Sequence, residues 1–184
     1  MNDPGFMVRQ AMTDEDLDGA RKVIIRVLEE DLKTGIDPAY HSDLDHMHEV
    51  YVDHPRQAMF VAVDIDSGEV IGTTAIREDG PKSPPHPAWL AERYAGDDVA
   101  QIFRVYIASE HRRRGAARAL VAAAQAFVAE TPGYSTIYLH TNPEIPGAEK
   151  FWRSMPTVEV YDDLGIREDG MRAIHFELDI PETS

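Results

Sequence analysis

A chain of 184 residues is long enough for one domain, or two very small ones, and for a core that needs no disulfide or structural metal. It contains no Cys, which excludes disulfide frameworks, thiolate zinc sites and Cys nucleophiles. A net charge of −15 argues against a general nucleic-acid binder and leaves three readings open: a cationic partner, solubility alone, or adaptation to high salt, since Lys is confined to Lys22, Lys33, Lys82 and Lys150.

No stretch approaches the roughly 18 apolar residues of a membrane span. The start, MNDPGFMVRQ, lacks the basic-then-apolar pattern of a signal peptide, so a soluble, cytoplasmic protein is expected. Val8 to Met12 reads as a strand. Thr13 is an N-cap candidate, with three acids in the following turn, and Leu17, Ala20, Val23, Ile24 and Leu28 continue a helix to about Lys33. Ser42 caps a second helix through about Tyr51. Residues 60–63 and 70–76 flank Asp66-Ser67-Gly68 as a hairpin. Residues 77–98, rich in Pro, form a long loop with a helical turn near Trp89, and loops of that length are usually functional. Gln101 to Ile107 is a strand, and Gly115 to about Glu130 a helix with an Ala-rich inward stripe. Ile137 to Thr141 is a strand, Gly147 to Met155 a short helix, and 157–161 with 173–180 a closing hairpin. Hairpins mixed with helical crossovers predict an α/β (α+β) fold: a mixed, mostly antiparallel sheet of six to seven strands with about four helices.

The acidic background is broken at residues 101–120, where five arginines (Arg104, Arg112, Arg113, Arg114, Arg118) face one acid, Glu110, a local balance of +4. This segment, IFRVYIASEHRRRGAARALVAAA, reads as strand, tight loop, helix. A helix N-terminus carries N–H groups without intrahelical acceptors and the positive end of the dipole. Gly115 removes a side chain where a phosphate would approach, and Ala116 and Ala117 keep the first turn small. No P-loop pattern and no G-x-G-x-x-G is present. A basic surface turn before an ordinary helix, or a nucleic-acid patch, are the other readings of the same residues.

Arg112-Arg113-Arg114-Gly115-Ala116-Ala117 resembles the Q/R-x-x-G-x-G/A motif of the GNAT N-acetyltransferase superfamily. Arg104-Val105-Tyr106-Ile107 resembles that family's fourth strand, and the element order matches over nearly the whole chain. The resemblance implies one acyltransferase domain over 1–184, splayed at strands four and five. It implies acetyl-CoA as donor, with the loop amides of Arg113 to Arg118 on the pyrophosphate and the Val105, Tyr106 and Ile107 backbone along the pantetheine. One amide of that strand would face the thioester oxygen. Leu139-His140-Thr141-Asn142 and Phe151-Trp152 resemble the fifth strand and the helix after it. Asn142 matches an Asn that often contacts CoA, or is a turn residue before Pro143.

Two positions depart from the family pattern. Trp152 stands where a Tyr often serves as general acid; it packs beside the pantetheine or in the core. Indole does not titrate usefully, but a thiol of pKa about 8.5 leaves without much help. Gln101 stands where a Glu often acts as base, and Gln cannot accept a proton. His140 is the candidate replacement base and Tyr161 the candidate proton donor. His41, His46, His48 and His54 lie among acids, but no H-E-x-x-H is present and no metal is expected. Tyr40, Asp45 and Glu49 are candidates for the wall of an acceptor pocket or for a solvated face.

The expected activity is therefore direct transfer of acetyl from acetyl-CoA to a small-molecule amine, with no nucleic-acid or membrane partner and a homodimer as the oligomer to test. An acyl-CoA-binding sensor or scaffold, and an enzyme acetylating proteins or peptides, are the alternatives.

Overall fold

A computed structural model describes residues 5–165 and 171–182. Residues 1–4, part of the N-terminal stretch inspected for a leader, lie outside them. In chain order the elements are β1 (Phe6–Gln10), α1 (Asp14–Arg26), α2 (Met47–Tyr51), β2 (Ala58–Asp64), β3 (Val70–Arg77), α3 (Ala88–Arg93), β4 (Val99–Ile107), α4 (Ala116–Glu130), β5 (Thr136–Thr141), α5 (Ala148–Arg153), β6 (Thr157–Asp162) and β7 (Ile174–Leu178). The strands form one seven-stranded sheet in the order β1-β2-β3-β4-β5-β7-β6. The β4–β5 pair is parallel, whereas β1–β2, β2–β3, β5–β7 and β6–β7 are antiparallel. The mixed, mostly antiparallel sheet expected from the sequence is thus observed. The helix beyond the expected four is α3, formed inside the Pro-rich loop. No helix among the described residues is long and apolar enough to cross a membrane.

The chain separates into two compact units, one made of Met1–Ile76 and Arg104–Ala124, the other of Arg77–Phe103 and Gln125–Ser184. In the first, the Thr13 hydroxyl accepts the Asp16 N–H at 3.2 Å and starts α1, where three acids meet the positive end of the dipole. The helix expected to reach Lys33 is α-helical only to Arg26. It continues as a π-helical turn over Val27–Asp31, closed by Leu32 N–H to Val27 O at 2.9 Å. The second expected helix is also broken. Ser42–Asp45 is a 3₁₀ turn, and His46 at φ −132° separates it from α2. The tight turn directs Asp43 into the interior, where it has buried partners.

The stripe of α4 buries Ala116, Leu120, Val121, Ala124 and Val128, while Ala119, Ala123 and Phe127 are half-buried. Gly72 of β3 is where the backbone needs no side chain. A Cβ there would stand 2.5 Å from Ile107 Cδ1, 3.1 Å from the Tyr106 carbonyl oxygen and 3.2 Å from Leu120 Cδ1. Close approach of β3, the end of β4 and the first turns of α4 depends on it.

Candidate active site

In the first unit, β4 ends at Ile107, and the Ala108 N–H is held by Ile71 O at 2.9 Å. A 3₁₀ turn over Ser109–His111 follows, and α4 opens at Ala116. Between them the chain enters the left-handed region twice, at Arg113 (φ +64°) and Gly115 (φ +90°). Turns of this kind aim successive N–H groups toward one concavity, and the helix behind adds its dipole. A Cβ on Gly115 would meet nothing within 4 Å, so the space beside the helix start is open. The backbone therefore fits a phosphate-bearing group.

The arginine side chains are used differently from what the sequence suggests. Arg112 is ion-paired with Asp31 and donates Nε–H to Ile107 O at 3.0 Å. Arg114 reaches Asp64 at 3.2 Å, Gly5 O at 3.2 Å and His111 Nδ1 at 2.8 Å. Both guanidiniums brace the loop, and the exposed Arg113 is the motif arginine for which no such tie is seen among the described residues. Beside them, Arg26 bonds Glu110 at 2.6 Å and holds that carboxyl down at a pKa of about 2.

Upstream, β4 contains a strained residue of its own. Arg104 has φ +59° in mid-strand, a conformation that costs a non-Gly residue about 1–2 kcal/mol. Its carbonyl accepts the Thr73 hydroxyl at 2.7 Å, and its guanidinium donates to Asp43 at 2.6 Å and to Tyr40 O at 3.1 Å. Tyr51 donates to the other Asp43 oxygen at 2.7 Å. Burial works against the Arg104 charge, but Asp43 outweighs it and the arginine pKa is raised. Val105, Tyr106 and Ile107, directly after this kink, are half-buried. Burial raises the Tyr106 phenol. His41 is held in the opposite sense, its pKa lowered by burial and then by Arg104.

In the second unit, the parallel β4–β5 pairing spans three registers, from Val99↔Thr136 to Gln101↔Tyr138, although β4 continues to Ile107 and β5 to Thr141. Tyr138 and His140 share a face of β5 because side chains alternate along a strand. Across β7, His140 is opposite His175 and Tyr138 opposite Glu177; across β6, Tyr161 is opposite His175. One sheet face thus collects Tyr138, His140, Tyr161, His175 and Glu177. His140 is exposed, while Tyr138 and His175 are fully buried. The Tyr161 ring stacks on His175 at 5.7 Å and meets Trp89 edge-on at 5.2 Å. Tyr94, the C-cap of α3, donates to Glu177 at 2.6 Å; burial, then Glu177, raises its pKa.

Of the other sequence candidates, the Asn142 side-chain oxygen accepts Glu144 N–H at 2.8 Å, the geometry of a turn before Pro143. Trp152 is 6% exposed and packs edge-on against Phe151 at 5.0 Å. Arg118 is exposed on the first turn of α4, with Ala116 buried and Ala117 half-buried beside it. Of the histidines of 41–54, His41 bonds locally with Asp37, His48 with Asp53 and His54 with the Arg56 N–H. Tyr40 and Glu49 are exposed, and Asp45 is ion-paired with Arg21. Two further members of the cluster, His86 and His175, have no motif around them in the sequence. His175 was findable, since the alternation of Ile174–Leu178 puts it on one face with Glu177; nothing local marks His86.

Residues 24–155 match the model of the acetyltransferase (GNAT) family. The mouse protein named N-acetyltransferase 8 is 29% identical over a match of 152 residues that covers 81% of this chain and 61% of the mouse protein. An acetyltransferase structure from Streptococcus agalactiae superposes with a TM-score of 0.68 at 15% identity, covering 93% of this chain and 97% of that one. The ribosomal-protein-alanine N-acetyltransferase of Brucella melitensis gives 0.65 at 16% identity, covering 95% and 99%.

Proposed function

Because the chain belongs to the acetyltransferase (GNAT) family, we propose that residues 1–184 act as one domain that moves an acetyl group from acetyl-CoA to the amine of a small molecule. The observation that carries this reading is the loop from Ala108 to Gly115, which turns twice through the left-handed region and opens a 15-residue helix beside empty space. The amides of Arg113 to Arg118 would hold the pyrophosphate. The backbone of Val105, Tyr106 and Ile107 would run along the pantetheine, and one of its N–H groups would stabilise the oxyanion. Asn142 and Trp152 complete the proposed donor contacts.

The amine attacks the thioester carbonyl directly, and CoA leaves as a thiolate that needs little acid assistance. A primary amine has a pKa of about 10.4 and must shed a proton before it attacks. Gln101 cannot take that proton; the exposed His140 can, and Tyr161 is the candidate donor. Gln101 and Trp152 also support a second reading, an acyl-CoA-binding sensor with little turnover. Titration with acetyl-CoA, followed by CoA-release assays over an amine panel, tests both. Acceptor-dependent release supports the transferase, tight binding without release supports the sensor, and no binding overturns both.

A further inference from the structure

Among the described residues, three histidines and a tyrosine converge in the second unit, His86 coming from the Pro-rich loop and the others from strands. Tyr138 Oη lies 2.7 Å from His175 Nδ1 and 3.3 Å from His140 Nδ1. The His86 ring covers both imidazoles, with centroids 4.7 Å from His140 and 5.0 Å from His175. Exposure falls along the chain of contacts, from the exposed His140 to Tyr138 and His175 at 0%, with His86 at 7%. A phenol has one proton and bridges two ring nitrogens here. It donates to one of them, and the other donates to it. A continuous path for a proton therefore runs from the surface to the interior.

We infer that Tyr138 relays the proton of the acceptor amine from His140 to the buried His175, with His86 closing the relay from solvent. This rests on the transferase reading and supplies it with a base of more than one residue. In the step, an N–H bond of the amine breaks and a proton arrives on the outer nitrogen of His140. The Nδ1 proton of His140 passes to Tyr138 Oη, and the Tyr138 proton passes to His175 Nδ1. Tyr138 ends as the neutral phenol it began as, His140 ends neutral in its other tautomer, and His175 carries the added charge. Two groups share the sheet face of His175. Tyr161 offers a ring face from β6, and Glu177 lies on the same face of β7, held by Arg93 at 2.9 Å and Tyr94 at 2.6 Å.

Tyr138→Phe keeps the buried ring and removes the bridge. In the full chain, CoA release with the best acceptor from a panel of primary alkyl and arylalkyl amines is measured from pH 6 to 10. Removing part of a general-base system is expected to lower kcat about 10–100-fold at pH 7. The KM for acetyl-CoA should stay within about twofold, and the deficit should narrow as pH approaches the amine pKa of about 10.4, where free amine needs no base. His175→Gln should reproduce the pattern. An unchanged kcat in Tyr138→Phe, or a deficit independent of pH, overturns the relay while leaving the transferase reading intact. Loss of activity with EDTA that zinc restores also overturns it, in favour of a metal held by the histidines. A wild-type protein that binds acetyl-CoA and turns over no amine overturns both readings.

Discussion

Asp43 and Arg104 meet at 2.6 Å with side chains 2% and 5% exposed, 61 residues apart in sequence. The pair joins the 3₁₀ turn of residues 42–45 to the kink of β4. It is also the means by which a left-handed arginine is tolerated in mid-strand. Removing one partner of a buried pair leaves the other charge without compensation, which typically costs about 3–5 kcal/mol. Asp43→Asn should therefore lower the unfolding free energy by about that much, read from urea or thermal denaturation. Tyr51→Phe, which removes a hydrogen bond to the carboxylate and keeps both charges, should cost about 1 kcal/mol.

Gly115→Glu separates folding from ligand binding. Its Cβ meets nothing within 4 Å, so the structural cost is confined to φ +90° and amounts to about 1–2 kcal/mol. The added carboxylate stands where the helix start would receive a phosphate. Calorimetry should show no acetyl-CoA binding by a protein whose circular dichroism is unchanged. Wild-type affinity in that variant would remove the loop from the donor site.

Arg113 and Arg114 are adjacent but should behave oppositely. Arg113→Gln is expected to weaken acetyl-CoA binding by about 1 kcal/mol, roughly fivefold in Kd, with little effect on melting. Arg114→Gln gives up contacts with Asp64, Gly5 and His111, so it should lower the melting temperature more than it changes Kd. Equal effects on binding would mean that the bracing seen for Arg114 is exchanged for ligand contact.

Acid should loosen the 109–112 loop first. The folded-state pKa of Glu110 is about 2, against an ordinary 4.5, because of Arg26. A depressed carboxylate stabilises the fold fully above its unfolded pKa and loses that contribution as pH falls from about 4.5 through 2. The Asp64 carboxyl is lowered in the same sense by the Ser67 N–H and by Arg114. Arg26→Gln should therefore flatten the dependence of melting temperature on pH between 5 and 2. Because the pair is half-exposed, 1 M salt should mimic the variant.

The features readable in the sequence are those that repeat or sit next to one another. Thr13 and its acids gave the start of α1, and the apolar spacing of 116–128 gave α4. The succession Arg112 to Ala117 after a strand marked the turn at the start of α4 that is proposed to hold an anion. Features made by residues far apart were invisible. Nothing near Arg104 announces Asp43, and a positive φ on an arginine has no local signature. The guanidiniums of Arg112 and Arg114 looked available for an anion because their acidic partners, Asp31 and Asp64, lie 81 and 50 residues away. The histidine cluster takes one member from a loop and two from strands whose pairing is set by the sheet.

The widened turn at Val27–Asp31 ties one of those distant pairs to the length of a helix. Each residue of an α-helix advances the side chain by about 100°. A π-turn holds about one residue more than an α-turn, so each of its residues advances by less, and rewinding the same residues as an ordinary α-turn would accumulate that difference by the last of them. Asp31 would then turn away from Arg112, and the loop would trade a fixed brace for a mobile cation. A change in the winding of this turn, remote in sequence from the glycine motif, is thus a route by which this fold could alter how many positive charges it offers to the proposed donor.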